Sequence, residues 1–277
     1  MSDAVDVPRT AAGRAGLRAL RDDPTHALVA TDFDGTLAPI VDDPERARPV
    51  EGTAAVLRDL TRVVGTTAVV TGRPAATAVA YAGLAELTGA PGLVVLGHYG
   101  DERWTARTGA YENATPPPGL AAARAEIRVL LRDPALPPGV TVEDKGTSVA
   151  VHLRNAADPA AAAAVLEAPL RDLAGRAGLA VQPGRHVFEL RGASGDKGTA
   201  LRGLVAERAA TAVLFAGDDL GDLPAFAAVE ELRAEGIPGL TVASVGPEPV
   251  PPVTDRADLV LDGPVAVVAF LRALVSS

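Results

Sequence analysis

The sequence contains no cysteine in its 277 residues. This absence excludes disulfide bonds, thiolate metal ligands and a cysteine nucleophile, and it argues against zinc. The sequence also lacks any apolar run near the roughly 20 residues that a membrane-spanning helix needs. Acidic residues stand at the amino terminus, where a signal peptide would carry basic ones. We therefore expect a cytoplasmic protein that does not associate with a membrane.

Positive charge is scarce as well. The net charge is -9, which disfavours nucleic acid and anionic membranes as partners. A phosphorylated ligand would need a local cationic pocket. Among the 26 basic residues only Lys145 and Lys197 are lysine, and both stand in the tripeptide Asp-Lys-Gly. Because a compact ammonium and a planar guanidinium are not interchangeable, we expect these two lysines to have specific roles.

Helices and strands alternate in the first hundred residues, which is typical of a parallel α/β sheet. The predicted elements of this part are a helix over 11–22, a strand over 27–32, a helix over 51–63, and strands over 67–71 and 93–96. The same pattern resumes with a helix over 197–208 and a buried strand over 212–216. We predict one α/β domain whose chain is interrupted and then completed.

The pattern between these two parts is different, with two helices that each precede a pair of strands. The predicted helices cover 119–133 and 158–177, and the predicted strands cover 140–144, 147–153, 179–182 and 186–191. This is typical of a small α+β domain. We therefore predict a core made of residues 1–107 and 192–277, with an inserted domain over 108–191.

Four polar segments adjoin predicted elements of the core. Asp32 ends the strand over 27–32 and Asp34 follows it, Thr71 ends a strand, Lys197 opens a helix, and Asp218 follows the strand over 212–216. Carboxylate oxygens are the ligands that Mg²⁺ prefers, and Lys197 and Thr71 could bind the oxygens of a phosphoryl group. A desolvated carboxylate can accept a phosphoryl group as an acyl phosphate that water then hydrolyses. These residue types therefore point to phosphoryl transfer.

These segments resemble the four motifs of the haloacid dehalogenase superfamily of Mg²⁺-dependent phosphatases. The matching stretches are Asp-Phe-Asp-Gly-Thr-Leu at 32–37, Thr-Gly-Arg at 71–73, Lys197, and Gly-Asp-Asp-Leu-Gly-Asp at 217–222. The resemblance implies a Rossmann-like haloacid dehalogenase core with a parallel sheet and a smaller inserted α+β cap domain.

The same resemblance implies roles for individual residues. Asp32 would be the nucleophile and Asp34 the general acid and base. The metal ligands would be Asp32, the backbone carbonyl of Asp34, and Asp218. Asp219 and Asp222 would orient the ligands or water, or they could instead cap the helix that follows.

The inserted domain resembles the trehalose 6-phosphate phosphatase family. The matching stretches are Glu-Asp-Lys-Gly at 143–146, Val-His-Leu-Arg at 151–154 and Gly-Arg-His-Val-Phe-Glu-Leu-Arg at 184–191. The resemblance implies that Glu143, Lys145, Arg154, Arg185 and Glu189 hold the sugar of a small-molecule sugar phosphate. Arg73 is a further candidate for substrate binding, with pairing to a core carboxylate as its alternative. A functional link to a trehalose 6-phosphate synthase follows from the same resemblance.

Two stretches depart from that family's pattern. Residues 217–223 lack the threonine and glutamate of the usual Gly-Asp-Asp-x-Thr-Asp-Glu, and Gly-His-Tyr-Gly at 97–100 replaces the usual Gly-Asn-His-Gly. We assign no role to His98, His152 or His186.

Two other functions stay open. One alternative is a related phosphatase for another sugar phosphate, such as sucrose phosphate or mannosyl phosphoglycerate. The other is a catalytically silent homologue that binds a sugar phosphate.

Overall fold

The structure is a computed structural model that describes residues 7–41, 43–113, 116–184, 186–192 and 195–275. The chain forms two compact units. The core unit consists of Met1–Glu112 with Gly195–Ser277, and the inserted unit consists of Asn113–Ser194. The inserted unit begins later than the predicted position 108 because a strand over Ala110–Asn113 still extends the core sheet.

The core unit is built on a mixed sheet that has eight strands among the described residues. In chain order the strands are β1 (Ala27–Thr31), β2 (Thr66–Val70), β3 (Leu93–Gly97), β4 (Glu102–Thr105), β5 (Ala110–Asn113), β10 (Ala212–Gly217), β11 (Gly239–Ser244) and β12 (Leu259–Leu261). Their order across the sheet is β12-β11-β10-β1-β2-β3-β4-β5. The strands from β12 to β3 are parallel, and β4 runs antiparallel to β3.

Helices cover both faces of this sheet, so its central strands are buried on both sides. Ala27 and Val29 of β1 pack into one apolar cluster, whereas Leu28 and Ala30 pack into the other. The first face carries α1 (Ala11–Asp22), α2 (Thr53–Leu60), α3 (Ala75–Tyr81) and α9 (Gly263–Val275). The second face carries α6 (Lys197–Arg208), α7 (Leu223–Ala234) and α8 (Pro251–Arg256). This layering confirms the predicted α/β fold class.

Strand order reverses between β1 and β10, and this reversal positions the site. The chain runs from β1 to β2 and β3 on one side, while β10, β11 and β12 follow one another on the other side. Thr31 at the end of β1 pairs with Ala216 near the end of β10. Ligands of open α/β sheets bind beyond the carboxyl ends of the strands at such a point. The residues after β1 and β10 therefore lie together.

The inserted unit consists of a four-stranded antiparallel sheet and two helices within the described residues. The strands are β6 (Thr141–Asp144), β7 (Ser148–His152), β8 (Leu179–Gly184) and β9 (Val187–Gly192), in the order β6-β7-β9-β8. One sheet face carries Val149, Val151 and Leu190 and packs against α4 (Leu120–Leu130) and α5 (Pro159–Arg176). The other face carries Ser148, Ala150 and Glu189, because successive side chains of a strand point to opposite faces.

Several predicted boundaries differ from the structure, and four of the strands among the described residues were not predicted. Helix α2 begins at Thr53 because Gly52 takes a left-handed conformation, and it ends at Leu60. Strands β4, β5, β11 and β12 lie in segments for which we predicted no strand. Among the described residues, none of the helices combines the length and the hydropathy needed to cross a membrane.

Candidate active site

Asp32 and Asp34 lie in a tight turn that follows β1. The Asp32 N-H donates to the Ala216 carbonyl at 2.8 Å, which continues the pairing of β1 with β10. The Asp32 side chain is buried, and the Asp34 side chain is one third exposed. Gly35 has φ +72°, and a Cβ at Gly35 would lie 1.9 Å from Asp218 Oδ2. Only glycine therefore allows Asp218 to approach this turn.

Lys197 is the first residue of helix α6, and its side chain is buried beside two carboxylates. Its Nζ lies 2.9 Å from Asp32 Oδ1 and 2.7 Å from Asp222 Oδ1. Asp196 caps the helix by accepting the Thr199 N-H at 2.7 Å. The helix start therefore fixes the lysine against the end of the β1 strand.

The acidic segment after β10 contains three aspartates with different contacts. Asp222 Oδ2 accepts the N-H groups of Asp218 at 2.9 Å and Asp219 at 3.1 Å, while its Oδ1 binds Lys197. Asp219 accepts the Gly221 N-H at 2.8 Å. Asp218 Oδ1 accepts from the Thr36 hydroxyl at 3.4 Å. Asp222 thus fixes the turn that carries Asp218 and Asp219 and also contacts Lys197, and it makes no side-chain hydrogen bond that caps the helix over Leu223–Ala234.

The segment after β2 places Thr71 and Arg73 at the same edge of the sheet. Arg73 binds Asp34 through two parallel hydrogen bonds of 2.6 Å. Its guanidinium carbon lies 5.5 Å from the ring centre of Phe33 and 5.4 Å from that of Tyr81. Thr71 is buried, and its hydroxyl accepts the Arg73 N-H at 3.1 Å. In this structure Arg73 makes the carboxylate pairing that the sequence had left as the alternative to substrate binding.

Negative charge exceeds positive charge at the centre of the site. Asp32, Asp218 and Asp222 each offer a carboxylate oxygen, and these three oxygens lie within 4.8 Å of one another. Lys197 contacts two of the three residues. Burial raises the pKa of Asp32 and of Asp222 despite the nearby ammonium, and burial raises the pKa of Asp218 to about 7. Burial would lower the pKa of Lys197, but Asp32 and Asp222 raise it above its usual value.

The excess of negative charge indicates that the site can hold a divalent cation. Two buried carboxylates and a half-buried one beside one ammonium are costly unless a further cation compensates them. All three offer oxygen, which suits a hard ion such as Mg²⁺. The hydrogen bonds of Asp222 already engage both of its oxygens, so Asp32 and Asp218 are the better placed side-chain ligands. The residues therefore fit a divalent metal.

A cleft of about 420 Å³ opens onto these residues within the core unit. Its charged lining consists of Asp32, Asp34, Arg73, Lys197 and Asp219, and Thr71 and Tyr99 also line it. Ile40, Val41 and Ala47 supply an apolar part of the wall. The cleft therefore combines a charged floor with apolar and aromatic surface.

The polar face of the inserted unit carries several of the predicted sugar-binding residues. Lys145 Nζ lies 2.9 Å from Glu189 Oε2, and the Ser148 hydroxyl donates to Glu189 Oε1 at 2.6 Å. Glu143 pairs with His152 at 2.8 Å. Glu143 and Glu189 both lie opposite Ala150 in the sheet, so they point to the same face.

Arg154, a further predicted residue of this unit, makes no described contact with that group. Arg154 follows strand β7, and its side chain is exposed. Arg185 lies outside the described residues. The structure thus places Glu143 and Glu189 on one face of the sheet and pairs Lys145 with Glu189.

Sequence reasoning missed Tyr99, which lines the cleft, and Glu102, which supports the turn that carries it. Glu102 Oε2 accepts the Ala75 N-H at 2.7 Å, and its Oε1 lies 3.7 Å from His98 Nε2. The unusual tetrapeptide at 97–100 was the available signal, but nothing in it indicated which side chain faces the cleft.

Residues 30–250 match the sequence profile of the family described as trehalose-phosphatase. The chain belongs to the trehalose-phosphatase family. The match covers the motif residues from Asp32 to Asp222 and the whole inserted unit. It confirms the family resemblance that the motifs indicated.

Relatives named trehalose-phosphate phosphatase support this membership. The protein from Mycobacterium avium (strain 104) is 37% identical over 226 residues, which cover 77% of this chain and 54% of that protein. The protein from Mycobacterium marinum (strain ATCC BAA-535 / M) is 38% identical over 208 residues, covering 72% of this chain and 50% of that protein. This trehalose-phosphatase family member thus spans about half the length of these relatives.

Solved structures confirm the fold of this trehalose-phosphatase family member. Aspergillus fumigatus trehalose-6-phosphate phosphatase superposes with a TM-score of 0.71 at 23% identity, covering 98% of this chain and 99% of that one. A haloacid dehalogenase-like hydrolase from Bacteroides thetaiotaomicron superposes with a TM-score of 0.61 at 15% identity, covering 90% and 99%. The chain therefore has the fold of these two structures.

Proposed function

We propose that this chain hydrolyses trehalose 6-phosphate to trehalose and inorganic phosphate. The observation that carries the proposal is the Asp32 carboxylate, which is buried against Lys197 at the end of β1 and lines the cleft. A buried acid that faces a cleft and contacts an ammonium suits covalent phosphoryl transfer. Family membership supplies the substrate class.

In the proposed reaction, Asp32 attacks the phosphorus of the substrate. Lys197 binds Oδ1 of Asp32, so we assign the attack to Oδ2. An acyl phosphate forms on Asp32 while the bond from phosphorus to the sugar oxygen breaks. Asp34 donates a proton to that leaving oxygen. It then takes a proton from the water that attacks the phosphorus, which releases phosphate and restores the Asp32 carboxylate.

The surrounding residues hold the reacting groups in place. Lys197 and the Thr71 hydroxyl bind phosphoryl oxygens, and the paired hydrogen bonds from Arg73 orient Asp34. Mg²⁺ held by Asp32, Asp218 and the Asp34 backbone carbonyl would supply positive charge for the phosphoryl oxygens. Asp222 orients Lys197, and Asp219 shapes the turn that carries Asp218.

We further propose that the inserted unit selects the sugar. Glu143 and Glu189 would accept hydrogen bonds from sugar hydroxyls, and Lys145, Arg154 and Arg185 would donate to hydroxyl or phosphate oxygens. A glycosyl transferase that forms trehalose 6-phosphate, such as a synthase, would supply the substrate. The cytoplasmic location stays a prediction.

Phosphate release from a substrate panel tests this function. The panel contains the phosphates of trehalose, sucrose, glucose and mannose, each assayed with Mg²⁺ and with chelator. We expect Mg²⁺-dependent selectivity for trehalose 6-phosphate, and a loss of roughly a thousandfold or more in Asp32→Asn because the nucleophile is removed. Asp59→Asn, on the surface of α2, is the matched control.

Three results would contradict parts of the proposal. Equal activity across the panel would remove the roles of Glu143, Lys145 and Glu189 in sugar selection. Near-normal turnover in Asp32→Asn would remove the nucleophile assignment. An absence of phosphate release throughout would favour a sugar-phosphate-binding protein.

A further inference from the structure

The turn after β3 contains two consecutive residues in an uncommon backbone conformation. His98 has φ 47° and Tyr99 has φ 61°, and neither is glycine. The left-handed region is unfavourable for residues that carry a Cβ. Such residues persist where the surrounding structure enforces them, and they concentrate at functional sites. Two features of this turn therefore bear on the site: the contacts that enforce the conformation and the side chain that it positions.

Hydrogen bonds from the neighbouring loop enforce this turn. The His98 N-H donates to the Arg73 carbonyl at 3.0 Å, and the Tyr99 N-H donates to the Thr71 carbonyl at 2.9 Å. Glu102 adds a third connection, because its carboxylate accepts the Ala75 N-H at 2.7 Å and approaches the His98 ring at 3.7 Å. The turn is thus fixed to the same loop that places Thr71 and Arg73 in the site.

The consequence of the turn is the position of the Tyr99 side chain. It lines the cleft together with Asp32, Asp34 and Lys197. A Cβ at Gly72 would lie 2.7 Å from Tyr99 Oη, so the glycine is what allows the tyrosine to lie against this loop. Tyr99 is also the one aromatic residue among those described as lining the cleft.

Four of the five charged side chains that line the cleft are paired with one another. Asp32 is paired with Lys197, and Asp34 is paired with Arg73. Tyr99 instead combines a flat apolar ring with a hydroxyl that can donate and accept, which matches the mixed apolar and hydroxylated surface of a sugar.

We propose that Tyr99 is a specificity-determining residue that contacts the sugar of the phosphate monoester next to the reacting phosphoryl group. His98 and Glu102 act through it, as positioning residues. This inference rests on the proposed phosphatase function and adds a sugar contact in the core unit to those assigned to the inserted unit. The phosphoryl chemistry itself does not require Tyr99.

The test compares a sugar phosphate with a substrate that has no sugar. For each variant, kcat/KM is measured for trehalose 6-phosphate, glucose 6-phosphate and acetyl phosphate, and the ratio of sugar phosphate to acetyl phosphate is taken. We expect Tyr99→Ala to lower this ratio about tenfold or more, and Tyr99→Phe, which keeps the ring, to lower it less. Gly72→Ala should also lower the ratio because the added Cβ displaces the tyrosine ring.

Tyr111→Ala is the matched control, since Tyr111 is half exposed on β5 and does not line the described cleft. Fluorescence of Trp104, the single tryptophan, checks that each variant is folded. If Tyr99→Ala does not fold, Tyr99→Phe and Gly72→Ala still test the proposal. An unchanged ratio in the folded Tyr99 variants would overturn the proposal.

The same measurements separate this inference from the proposed function. If the unmodified protein prefers another sugar phosphate, the assigned substrate is wrong, and a lower ratio for that sugar phosphate still supports Tyr99. If the unmodified protein hydrolyses acetyl phosphate as well as every sugar phosphate, both proposals are overturned.

Discussion

Asp258 is the residue whose replacement should destabilise the core unit most clearly without touching the candidate site. Its side chain is 2% exposed. It joins three elements, because it accepts hydrogen bonds from Thr10 at the start of α1, from the N-H and hydroxyl of Thr241 on β11, and from Arg233 on α7. Asp258→Asn keeps the shape but removes the charge and one acceptor.

The magnitude follows from these contacts. Breaking a buried ion pair by removing one partner costs about 3–5 kcal/mol. Arg233 is partly exposed and keeps its hydrogen bonds to the Gly239 carbonyl, which places the effect at the lower end. We expect the free energy of unfolding to fall by about 3 kcal/mol. With a urea slope of about 3 kcal/mol/M, the midpoint would fall by about 1 M.

The assay is urea unfolding followed by Trp104 fluorescence, because this tryptophan is buried in β4 of the core unit. Asp59→Asn is the control, since Asp59 pairs with arginines on the surface of α2 and should cost about 1 kcal/mol or less. If the Asp258→Asn midpoint matched that of the control, the stabilising role of Asp258 would be refuted.

The pH dependence of this difference has a definite sign. Burial alone would raise the pKa of Asp258, but the hydrogen bonds from Thr10, Thr241 and Arg233 lower it below its usual value. A lowered pKa contributes stability above the unfolded value of about 3.9, and this contribution disappears as the pH falls through the folded value. The difference between Asp258→Asn and the unmodified protein should therefore be full at pH 7 and shrink below about pH 4.

Two further predictions concern the candidate site. Arg73→Lys replaces a guanidinium that donates two parallel hydrogen bonds with a single ammonium. We expect kcat for trehalose 6-phosphate to fall about tenfold or more because Asp34 loses its orientation. Arg62→Lys, at an exposed position, is the control, and an unchanged kcat in Arg73→Lys would contradict this prediction. Lys145→Met removes the ammonium that contacts Glu189, while the hydrogen bond from Ser148 to Glu189 stays. We expect KM for trehalose 6-phosphate to rise about tenfold in steady-state assays, and KM for acetyl phosphate to rise less. Equal increases in KM for both substrates would show that Lys145 has a structural role.

The alternation of elements and the placement of the motifs could be predicted from the sequence because both depend on local patterns. Apolar strands followed at once by Asp32, Thr71 or Asp218 end at one edge of a parallel sheet whatever the details of packing. The contact between Asp32 and Lys197 follows from the same geometry. Strand lengths were predicted to within a residue or two for the same reason.

The partners of individual side chains could not be predicted in this way. Arg73 had a substrate and a carboxylate as possible partners, and the choice of Asp34 depends on the turn after β1 and on the rings of Phe33 and Tyr81. The left-handed backbone at Tyr99 depends on hydrogen bonds to a different loop. Strands β4 and β5 were missed because the segment that contains them had no clear alternation, and β11 and β12 were missed as well.

The pairing of β1 with β10 has a consequence for biosynthesis. Ala27 pairs with Ala212, so the strand that precedes Asp32 leaves the ribosome long before its neighbour on that side exists. Until then the amino-terminal strands expose an apolar, unpaired edge of the kind that aggregates or recruits chaperones. The inserted unit, whose elements are contiguous in sequence, can fold during this interval. Translation of the last third of the chain thus closes the sheet and completes the candidate active site in one step.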